Sequence, residues 1–249
     1  MTPLAGPPRG PVAVPDAVRA RIRNPQPIWR NEEGGLTFRE HDHGVFAKWN
    51  PTGTAISLAA ERDRLAWARP HHPVPEVLDY AVDEAGELLV TRALPGESAV
   101  AERWRAEPRT AARAIGEGLR ALHEHLPREA CPFSWAAGER LARRTPDARA
   151  DLDARADLDA PPPVEQLVVC HGDACAPNTL LDDDGRWTAH VDLGTLGLAD
   201  RWADLAVASM SLDWNFGEGW QPEFFAAYGV RPDADRIRFY RALWNAPVL

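Results

Sequence analysis

Apolar and polar residues alternate in short runs through the first third of the chain, as they do in β-strands that are bounded by turns. Residues 27–50 contain such runs on either side of a glycine pair, Gly34 and Gly35, which favours a tight turn. The runs resume over 77–82 and 88–91. We therefore predict a small β-rich region, with two or three short strands in the first stretch and two more in the second.

Helical periodicity replaces this alternation in the stretch 57–71 and again from residue 109. In 57–71, apolar side chains and one carboxylate recur three and four residues apart, and Pro70 ends the pattern. Residues 109–126 repeat this spacing, so we predict a buried amphipathic helix there. The shared face of the first predicted helix carries Leu58, Glu61, Leu65 and Ala68. Further helices are predicted from residue 199 and across 223–229 and 233–244, and strands at 165–170 and 186–194.

Pro95 and Gly96 separate the β-rich part from the helical part and mark a linker. The order of elements predicts an α+β protein with two lobes: a small β-rich N-terminal lobe over 1–94 and a larger, mostly helical C-terminal lobe over 95–249. Residues 1–20 are rich in proline and alanine without periodicity, so we expect them to form a loose arm.

The composition argues against several classes of protein. The 249 residues are 45% apolar, which suffices for a sizeable core, yet no run of about eighteen apolar residues predicts a membrane span. The N-terminal segment lacks the continuous apolar stretch of a signal peptide, and three cysteines make no disulfide framework, so we expect a cytoplasmic protein. The net charge of -9 disfavours nucleic acid and anionic membranes as partners and favours a cationic small molecule.

One lysine is unusual among the charged residues. Of the 28 basic residues, all except Lys48 are arginine. A lysine ammonium is a compact point charge that the planar arginine guanidinium does not replace. Lys48 lies in a predicted strand, and Glu61 lies on the predicted helix that follows. We therefore expect Lys48 to have a role that arginine cannot fill, with Glu61 as its partner.

The sequence VVCHGDACAPNTLL, residues 168–181, breaks an apolar run with a polar motif. Asp173 and Asn178 lie five residues apart on the predicted loop, and Asp192 follows the next predicted strand, where hairpin pairing can bring it near them. Carboxylate and amide oxygens are ligands of Mg²⁺, so Asn178 and Asp192 are candidate metal ligands. Asp173 then remains to orient a substrate hydroxyl and accept its proton, as in phosphoryl transfer.

At these residues the chain resembles the aminoglycoside phosphotransferases, and within them the 3'-phosphotransferase-like branch. The family pattern of His-Gly-Asp, four residues and Asn is matched by His171, Gly172, Asp173 and Asn178, and DLGTLGLADRWADLA matches a second motif from Asp192 onward. The resemblance covers nearly the whole chain. It implies a protein-kinase-like fold and a Mg²⁺-dependent transfer of the γ-phosphate of ATP or GTP to a sugar hydroxyl of the antibiotic, which confers resistance.

The resemblance also implies roles by position. Asp173 is expected to be the catalytic base, Asn178 and Asp192 to ligate Mg²⁺, and Lys48 and Glu61 to form the phosphate-positioning pair. The hinge that meets the nucleotide base is expected to be the backbone of Thr91, Arg92, Ala93 and Leu94. Candidate ligands of the cationic acceptor, by the same analogy, are Asp151, Asp153, Asp157, Asp159, Asp213 and Glu218.

Two departures from the family pattern bear on the acceptor. Thr195 follows Asp-Leu-Gly where similar enzymes usually carry arginine, and the C-terminal LWNAPVL lacks the acidic residues that often hold substrate ammonium groups. Two alternatives stay open: a kinase of another hydroxylated cation, such as a peptide antibiotic, choline or an amino sugar, and a nucleotide-binding module without catalysis. His171 is expected to brace the loop, and Asp200 and Asp204 to start and pack a helix.

Overall fold

The structure, a computed structural model, describes residues 6–8, 10–31, 33–40, 44–142 and 160–246. The chain divides into two compact units, one of residues 1–70 and 74–94 and the other of residues 71–73 and 95–249. Residues 71–73, which lie within the predicted N-terminal lobe, thus group with the second unit. Two contacts account for this grouping. The Pro73 carbonyl accepts a hydrogen bond from the His190 amide at 3.1 Å, and the His72 ring contacts the His190 ring.

The first unit is built on an antiparallel sheet of five strands. The strands are β1 (Gln26–Arg30), β2 (Leu36–Glu40), β3 (Val45–Pro51), β4 (Val77–Val82) and β5 (Gly86–Arg92), and their order in the sheet is β1-β2-β3-β5-β4. Phe38 is paired with Ala47, Ala47 is paired with Val90, and all three side chains are buried. The alternation in the sequence therefore predicts the buried face of the sheet correctly.

A short helix, α1 (Asp16–Arg19), takes the place of the expected loose arm at residues 16–19 of the segment 1–20. Val18 on this helix and Ile22 after it are buried together with Phe38 of the sheet. The proline and alanine richness of the segment masks these two apolar residues. Their burial supplies the hydrophobic free energy that orders this end of the segment.

Helix α2 (Leu58–Ala68) begins where its sequence predicts. The Ser57 hydroxyl accepts a hydrogen bond from the Ala60 amide, and a carboxylate oxygen of Glu87 on β5 accepts from the first two amides of the helix. The face predicted from the spacing is the buried one, and it includes Glu61, which is 5% exposed. A buried carboxylate needs a charged partner or hydrogen-bond donors. Such a partner of Glu61 must therefore lie next to the buried face of α2.

The second unit combines helices with two small sheets. Helix α4 (Pro108–His125) packs closely on helix α7 (Gln221–Tyr228) because Gly116 of α4 has no side chain. A Cβ atom at Gly116 would lie 2.5 Å from the Phe224 carbonyl oxygen. With the sheet of the first unit, these helices confirm the predicted α+β class. Within the described ranges, no helix is both long enough and apolar enough to span a lipid bilayer. The remaining elements are α3 (Glu102–Arg105), α5 (Ala137–Ala142), α6 (Trp202–Phe216), α8 (Ala234–Asn245), β6 (Glu97–Ser98), β7 (Leu167–Cys170), β8 (Thr179–Leu181), β9 (Trp187–His190) and β10 (Gly197–Asp200).

Antiparallel strands frame the segment that carries the polar motif. Strand β7 pairs with β10, and β8 pairs with both β6 and β9. The first pairing corrects the prediction that a helix starts at residue 199, because Ala199 and Asp200 lie in β10 and α6 starts only at Trp202. The Asp200 carboxylate stabilises this arrangement by accepting hydrogen bonds from the Glu165 amide and the Arg236 guanidinium, both at 2.9 Å.

Candidate active site

The polar motif forms a loop, residues 171–178, between β7 and β8, and a buried carboxylate on α6 holds its start. Asp204 Oδ2 accepts a hydrogen bond from the His171 amide at 2.6 Å, and Oδ1 accepts one from the Gly172 amide at 2.9 Å. The Asp204 side chain is completely buried, so water does not compete for these two bonds. The loop therefore takes its backbone direction from a helix that follows it in the sequence.

The role of Asp204 exceeds the helix packing that the sequence pattern assigns to it. The sequence signal for this role is the position of Asp204 in the second family motif, DLGTLGLADRWADLA. The spacing of residues around Asp204 does not by itself indicate that it binds the loop. Its carboxylate, His123 and Cys170 have ligand atoms that all lie within 4.8 Å of one another. A metal there would require a thiolate, yet burial raises the pKa of Cys170, whose thiol donates to the Asp200 carbonyl at 3.4 Å. The cluster is therefore an anchor within the core.

Gly172 is required by the geometry of the loop. Its φ angle of +84° lies in the left-handed region, and a Cβ atom at this position would lie 2.3 Å from the Thr195 carbonyl oxygen. The Gly172 carbonyl also accepts a hydrogen bond from Trp135 Nε1 at 3.1 Å. The loop can therefore pass between these two neighbours only with glycine at its second position.

His171 braces the loop, as expected from the sequence. Its ring is fully buried, and Nε2 donates to the Val191 carbonyl at 2.9 Å. This bond leaves Nδ1 as an acceptor, and the Asp173 amide points to it at 3.4 Å. One imidazole thus links the segment of Asp173 to the residue that precedes Asp192.

Asp173 is held by Asn178, at the other end of the loop. Asn178 Nδ2 donates to the Asp173 carbonyl at 3.0 Å and lies 3.4 Å from Oδ2 of its carboxylate. The second carboxylate oxygen, Oδ1, is buried and has no N–H or O–H partner among the described residues. Burial raises the pKa of Asp173, the neighbouring Cys175 thiol lowers it, and the charge of Asp192 raises it further.

Asp192 reaches the loop through strand pairing. Strands β8 and β9 form a hairpin, and the Val191 amide, just beyond β9, donates to the Asn178 carbonyl at 3.0 Å. Asp192 itself is exposed and has a positive φ of 65°. The structure thus brings together the three residues of the predicted constellation, Asp173, Asn178 and Asp192.

The donor atoms of this constellation fit a magnesium ion. Asn178 commits Nδ2 to Asp173, which leaves its carbonyl oxygen Oδ1 available to a cation. Asp192 contributes a carboxylate, and its charge is felt at Asp173, whose pKa it raises. A carboxylate and an amide oxygen are hard oxygen donors of the kind that Mg²⁺ takes, and a cation held by Asp192 and Asn178 would offset the repulsion between Asp192 and Asp173.

Lys48 and Glu61 form an ion pair in the first unit. Lys48 Nζ on β3 lies 2.7 Å from Oε1 of Glu61 on α2. The Glu61 side chain is 7% exposed and that of Lys48 is 26% exposed, so the pair is largely buried and Lys48 is its more exposed member. The predicted pairing of Lys48 with Glu61 is thus present in the structure.

The predicted hinge residues lie at the end of β5, and part of their backbone is already bonded. The Arg92 amide donates to the Glu76 carbonyl at 2.9 Å, and the Ala93 amide donates to the Gly44 carbonyl at 2.6 Å. These two N–H groups are therefore not available to a nucleotide base. Thr91 and Arg92 are also paired with neighbouring strands, so the backbone of Ala93 and Leu94 beyond β5 is the part of the segment that a base could meet.

The candidate acceptor ligands divide into two groups. Asp151, Asp153, Asp157 and Asp159 lie outside the described residues. Asp213, near the end of α6, is partly exposed and accepts a hydrogen bond from Gln221 Nε2 at 2.6 Å. Glu218 is exposed in the connection between α6 and α7.

Known proteins match this chain along most of its length. The family model described as phosphotransferase enzyme family matches residues 36–240. The chain is 37% identical over 247 residues to the streptomycin 3''-kinase of Streptomyces griseus, and the match covers 86% of this chain and 88% of that protein. It is 39% identical over 236 residues to an aminoglycoside 3'-phosphotransferase of Streptomyces fradiae, with 84% and 87% covered.

Solved structures give the same picture. The aminoglycoside phosphotransferase APH(3'')-Id from Streptomyces rimosus has 33% sequence identity and a TM-score of 0.71, with 90% of this chain and 93% of that chain covered. The same enzyme in complex with ADP and streptomycin has 35% identity and a TM-score of 0.67, with 84% and 88% covered. These matches confirm the predicted fold class.

Proposed function

The chain belongs to the phosphotransferase enzyme family, and on that premise we propose that it transfers the γ-phosphate of a nucleoside triphosphate to a hydroxyl group of an aminoglycoside. The names of the relatives support this acceptor class, since they include a streptomycin 3''-kinase and aminoglycoside 3'-phosphotransferases. The complex of a structural relative with ADP and streptomycin supports a nucleotide as the phosphate donor.

The observation that carries the proposal is the environment of the Asp173 carboxylate. Its Oδ1 is buried without an N–H or O–H partner among the described residues, whereas Asn178 Nδ2 lies 3.4 Å from Oδ2. The Cys175 thiol beside this carboxylate is only a weak donor. A buried acceptor that lacks a strong donor costs free energy until a ligand supplies one. A substrate hydroxyl is such a donor, and it also carries the oxygen that attacks phosphorus.

In the proposed step, Asp173 Oδ1 accepts the hydroxyl proton while the hydroxyl oxygen forms a bond to the γ-phosphorus. The bond from this phosphorus to the bridging oxygen breaks, and the nucleoside diphosphate leaves with the electron pair. His171 and Asp204 hold the loop and take no proton. Their hydrogen bonds fix the position of Asp173 before the acceptor arrives, which lowers the entropic cost of the reaction.

The nucleotide is assigned to the groups that can bind phosphates and a base. Lys48, held by Glu61, binds phosphate oxygens, and the segment from Thr91 to Leu94 meets the base through its remaining backbone groups. Asn178 and Asp192 are assigned to Mg²⁺, which when bound supplies positive charge to the phosphates. The proposal leaves ATP and GTP as alternatives for the donor.

The expected consequence of the reaction is antibiotic resistance. A phosphate group adds negative charge to a polycationic drug and alters the hydroxyl pattern by which a target recognises it. The sequence predicts a cytoplasmic protein. Cells that produce it in active form should therefore tolerate a higher concentration of the aminoglycoside.

A direct transfer assay tests the proposal. The purified protein is incubated with Mg²⁺ and ATP or GTP labelled at the γ-phosphate, together with streptomycin, an aminoglycoside with a free 3'-hydroxyl, choline or an amino sugar. Phosphorus and proton NMR then locate the new phosphate ester on the product. The Asp173→Asn variant and a reaction with chelator serve as controls.

We expect a labelled aminoglycoside, formed only when Asp173 and the divalent cation are both present. Label on choline or the amino sugar alone would overturn the acceptor class and favour the kinase of another hydroxylated cation. Nucleotide binding without transfer to any acceptor would favour a module without catalysis. Transfer that is unaffected in Asp173→Asn would contradict the proposed base.

A further inference from the structure

Two tryptophan rings near the ends of α6 and α8 form an aromatic pair, of which Trp214 is exposed and Trp244 is partly buried against the core. Trp214 on α6 is 58% exposed, and its ring centroid lies 6.0 Å from that of Trp244 on α8, with 47° between the ring planes. Trp104, Trp135 and Trp202 of the same unit are almost completely buried. Tryptophan is enriched at binding interfaces, where part of its ring system is apolar and part stays in water.

Trp214 lies one turn of α6 beyond the contact between this helix and the candidate catalytic loop. Ser211, three residues before Trp214 on α6, accepts a hydrogen bond from the Ala176 amide at 2.9 Å, and Ala176 belongs to the loop of Asp173. Residues three apart lie on the same side of a helix, roughly 5 Å apart along its axis. A single acceptor molecule is long enough to contact Trp214 and to present a hydroxyl to the loop.

The charges near Trp214 favour a cation. Asp213 precedes it, and the only cationic group paired with this carboxylate in the described part of the chain is the Arg241 guanidinium, at 4.0 Å. Glu218 follows it, is exposed, and forms no ion pair with any described residue. The net charge of -9 on the whole chain also favours the approach of a cation.

The difference in hydration between guanidinium and ammonium groups indicates which cation suits Trp214. A guanidinium is planar and weakly hydrated, so it stacks on an indole more readily than a strongly hydrated ammonium does. The end of α8 carries Trp244 and Asn245 and no carboxylate, which suits stacking better than ammonium binding. We propose that Trp214, supported by Trp244, stacks on a guanidinium group of the acceptor and so selects guanidinium-bearing aminocyclitols, such as streptomycin, over aminoglycosides that carry only ammonium groups.

This inference rests on the proposed function, and a comparison of two acceptors tests the two separately. Kinetic constants are measured for streptomycin and for an ammonium-only aminoglycoside with wild-type protein, Trp214→Leu and Trp214→Phe. Binding of streptomycin is measured by calorimetry without nucleotide. Trp29→Leu is the matched control, because Trp29 is 41% exposed on β1 of the first unit.

For Trp214→Leu we expect KM and the dissociation constant for streptomycin to rise about tenfold, with kcat nearly unchanged and little effect on the ammonium-only acceptor. Trp214→Phe should restore part of the affinity, and Trp29→Leu should match wild type. An equal loss for both acceptors, or no loss for streptomycin, would overturn the inference and leave the proposed function intact. Absence of transfer from wild-type protein to either acceptor would overturn the proposed function, while calorimetry would still decide whether Trp214 binds streptomycin.

Discussion

His123 Nε2 lies 3.0 Å from Oδ2 of Asp204, and the exposed fractions of the two side chains are 2% and 0%. His123 Nδ1 in turn accepts from the Tyr228 hydroxyl at 2.8 Å, which joins α4, α6 and α7 through one imidazole. Because the same Asp204 carboxylate also receives the first amides of the catalytic loop, the position of Asp173 depends on this buried network. The candidate site is therefore anchored in the core and not at the surface.

The first prediction concerns this anchor. Asp204→Asn replaces one carboxylate oxygen by an NH₂ group, which cannot accept a hydrogen bond and faces the Gly172 amide at the Oδ1 position, or the His171 amide and His123 Nε2 at the Oδ2 position. We expect a loss of about 2–4 kcal/mol in the free energy of unfolding, measured with urea, and a lower kcat. Asp235→Asn is the control, since Asp235 is exposed on α8. Wild-type stability and rate in Asp204→Asn would contradict the anchoring role.

The second prediction separates a steric clash from backbone strain. Gly172 and Gly53 have φ angles of +84° and +89°, but a Cβ atom meets the Thr195 carbonyl at 2.3 Å in the first case and nothing within 4 Å in the second. Gly53→Ala should cost about 1–2 kcal/mol of unfolding free energy from strain alone. Gly172→Ala should cost clearly more and should also abolish most activity. Equal losses of stability in the two variants would show that Gly172 is needed only for its φ angle.

Local sequence predicts the parts of the candidate site that depend on residue type and short spacing. Lys48 and Glu61 lie on a strand and the next helix, and Asp173 and Asn178 share one loop, so neighbouring elements suffice to bring each pair into contact. The anchoring role of Asp204 requires knowledge of tertiary packing, because its partners lie on a loop and on α4.

The errors in the predicted fold have the same physical origin. Residues 199 and 200 have a helical context in the sequence, yet pairing with β7 makes them a strand. Val18 lies in a proline-rich segment, and burial against the sheet decides its structure. In both cases a contact with a distant part of the chain outweighs local propensity.

The third prediction concerns the proposed base. Asp173→Asn keeps the shape of the side chain but removes the charge that accepts the hydroxyl proton, so we expect kcat to fall about 10²–10⁴-fold. The nucleotide dissociation constant, measured by calorimetry, should stay close to the wild-type value. Asp184→Asn is the matched control because Asp184 is an exposed turn residue that pairs with Arg186. A variant at position 173 that turns over at more than about a tenth of the wild-type rate would exclude Asp173 as the base.

The fourth prediction concerns the lysine–glutamate pair. Lys48→Met removes the ammonium that is expected to bind phosphate, so kcat/KM for the nucleotide should fall about tenfold to a hundredfold. Lys48→Arg should restore little, because a planar guanidinium cannot take the place of a compact ammonium beside Glu61. Arg62→Met provides the control, since Arg62 pairs with the exposed Asp63 on the same helix. Full activity of Lys48→Arg would show that only the charge matters.

The fifth prediction concerns pH and the buried ring of His72. Its Nε2 lies 2.9 Å from His190 Nδ1, its Nδ1 lies 3.3 Å from His125 Nδ1, and Trp187 stacks on it at 5.6 Å. Burial, with further repulsion from His125, His171 and His123, lowers the pKa of His72 to about 3. The folded state therefore holds this ring neutral over a pH range in which the unfolded chain protonates it.

A lowered pKa in the folded state means that protonation favours unfolding, so the contribution of His72 is complete above about pH 6.5 and is lost as the pH falls below it. The contribution of His72 to the free energy of unfolding, measured with urea, should fall by about 1.4 kcal/mol for each pH unit between about pH 6 and pH 4. His72→Gln should remove this part of the slope even if it lowers stability at every pH. His71→Gln, at the exposed neighbour, should keep the wild-type slope. If His72→Gln and wild-type protein lose stability in parallel, protonation of His72 does not contribute to acid unfolding.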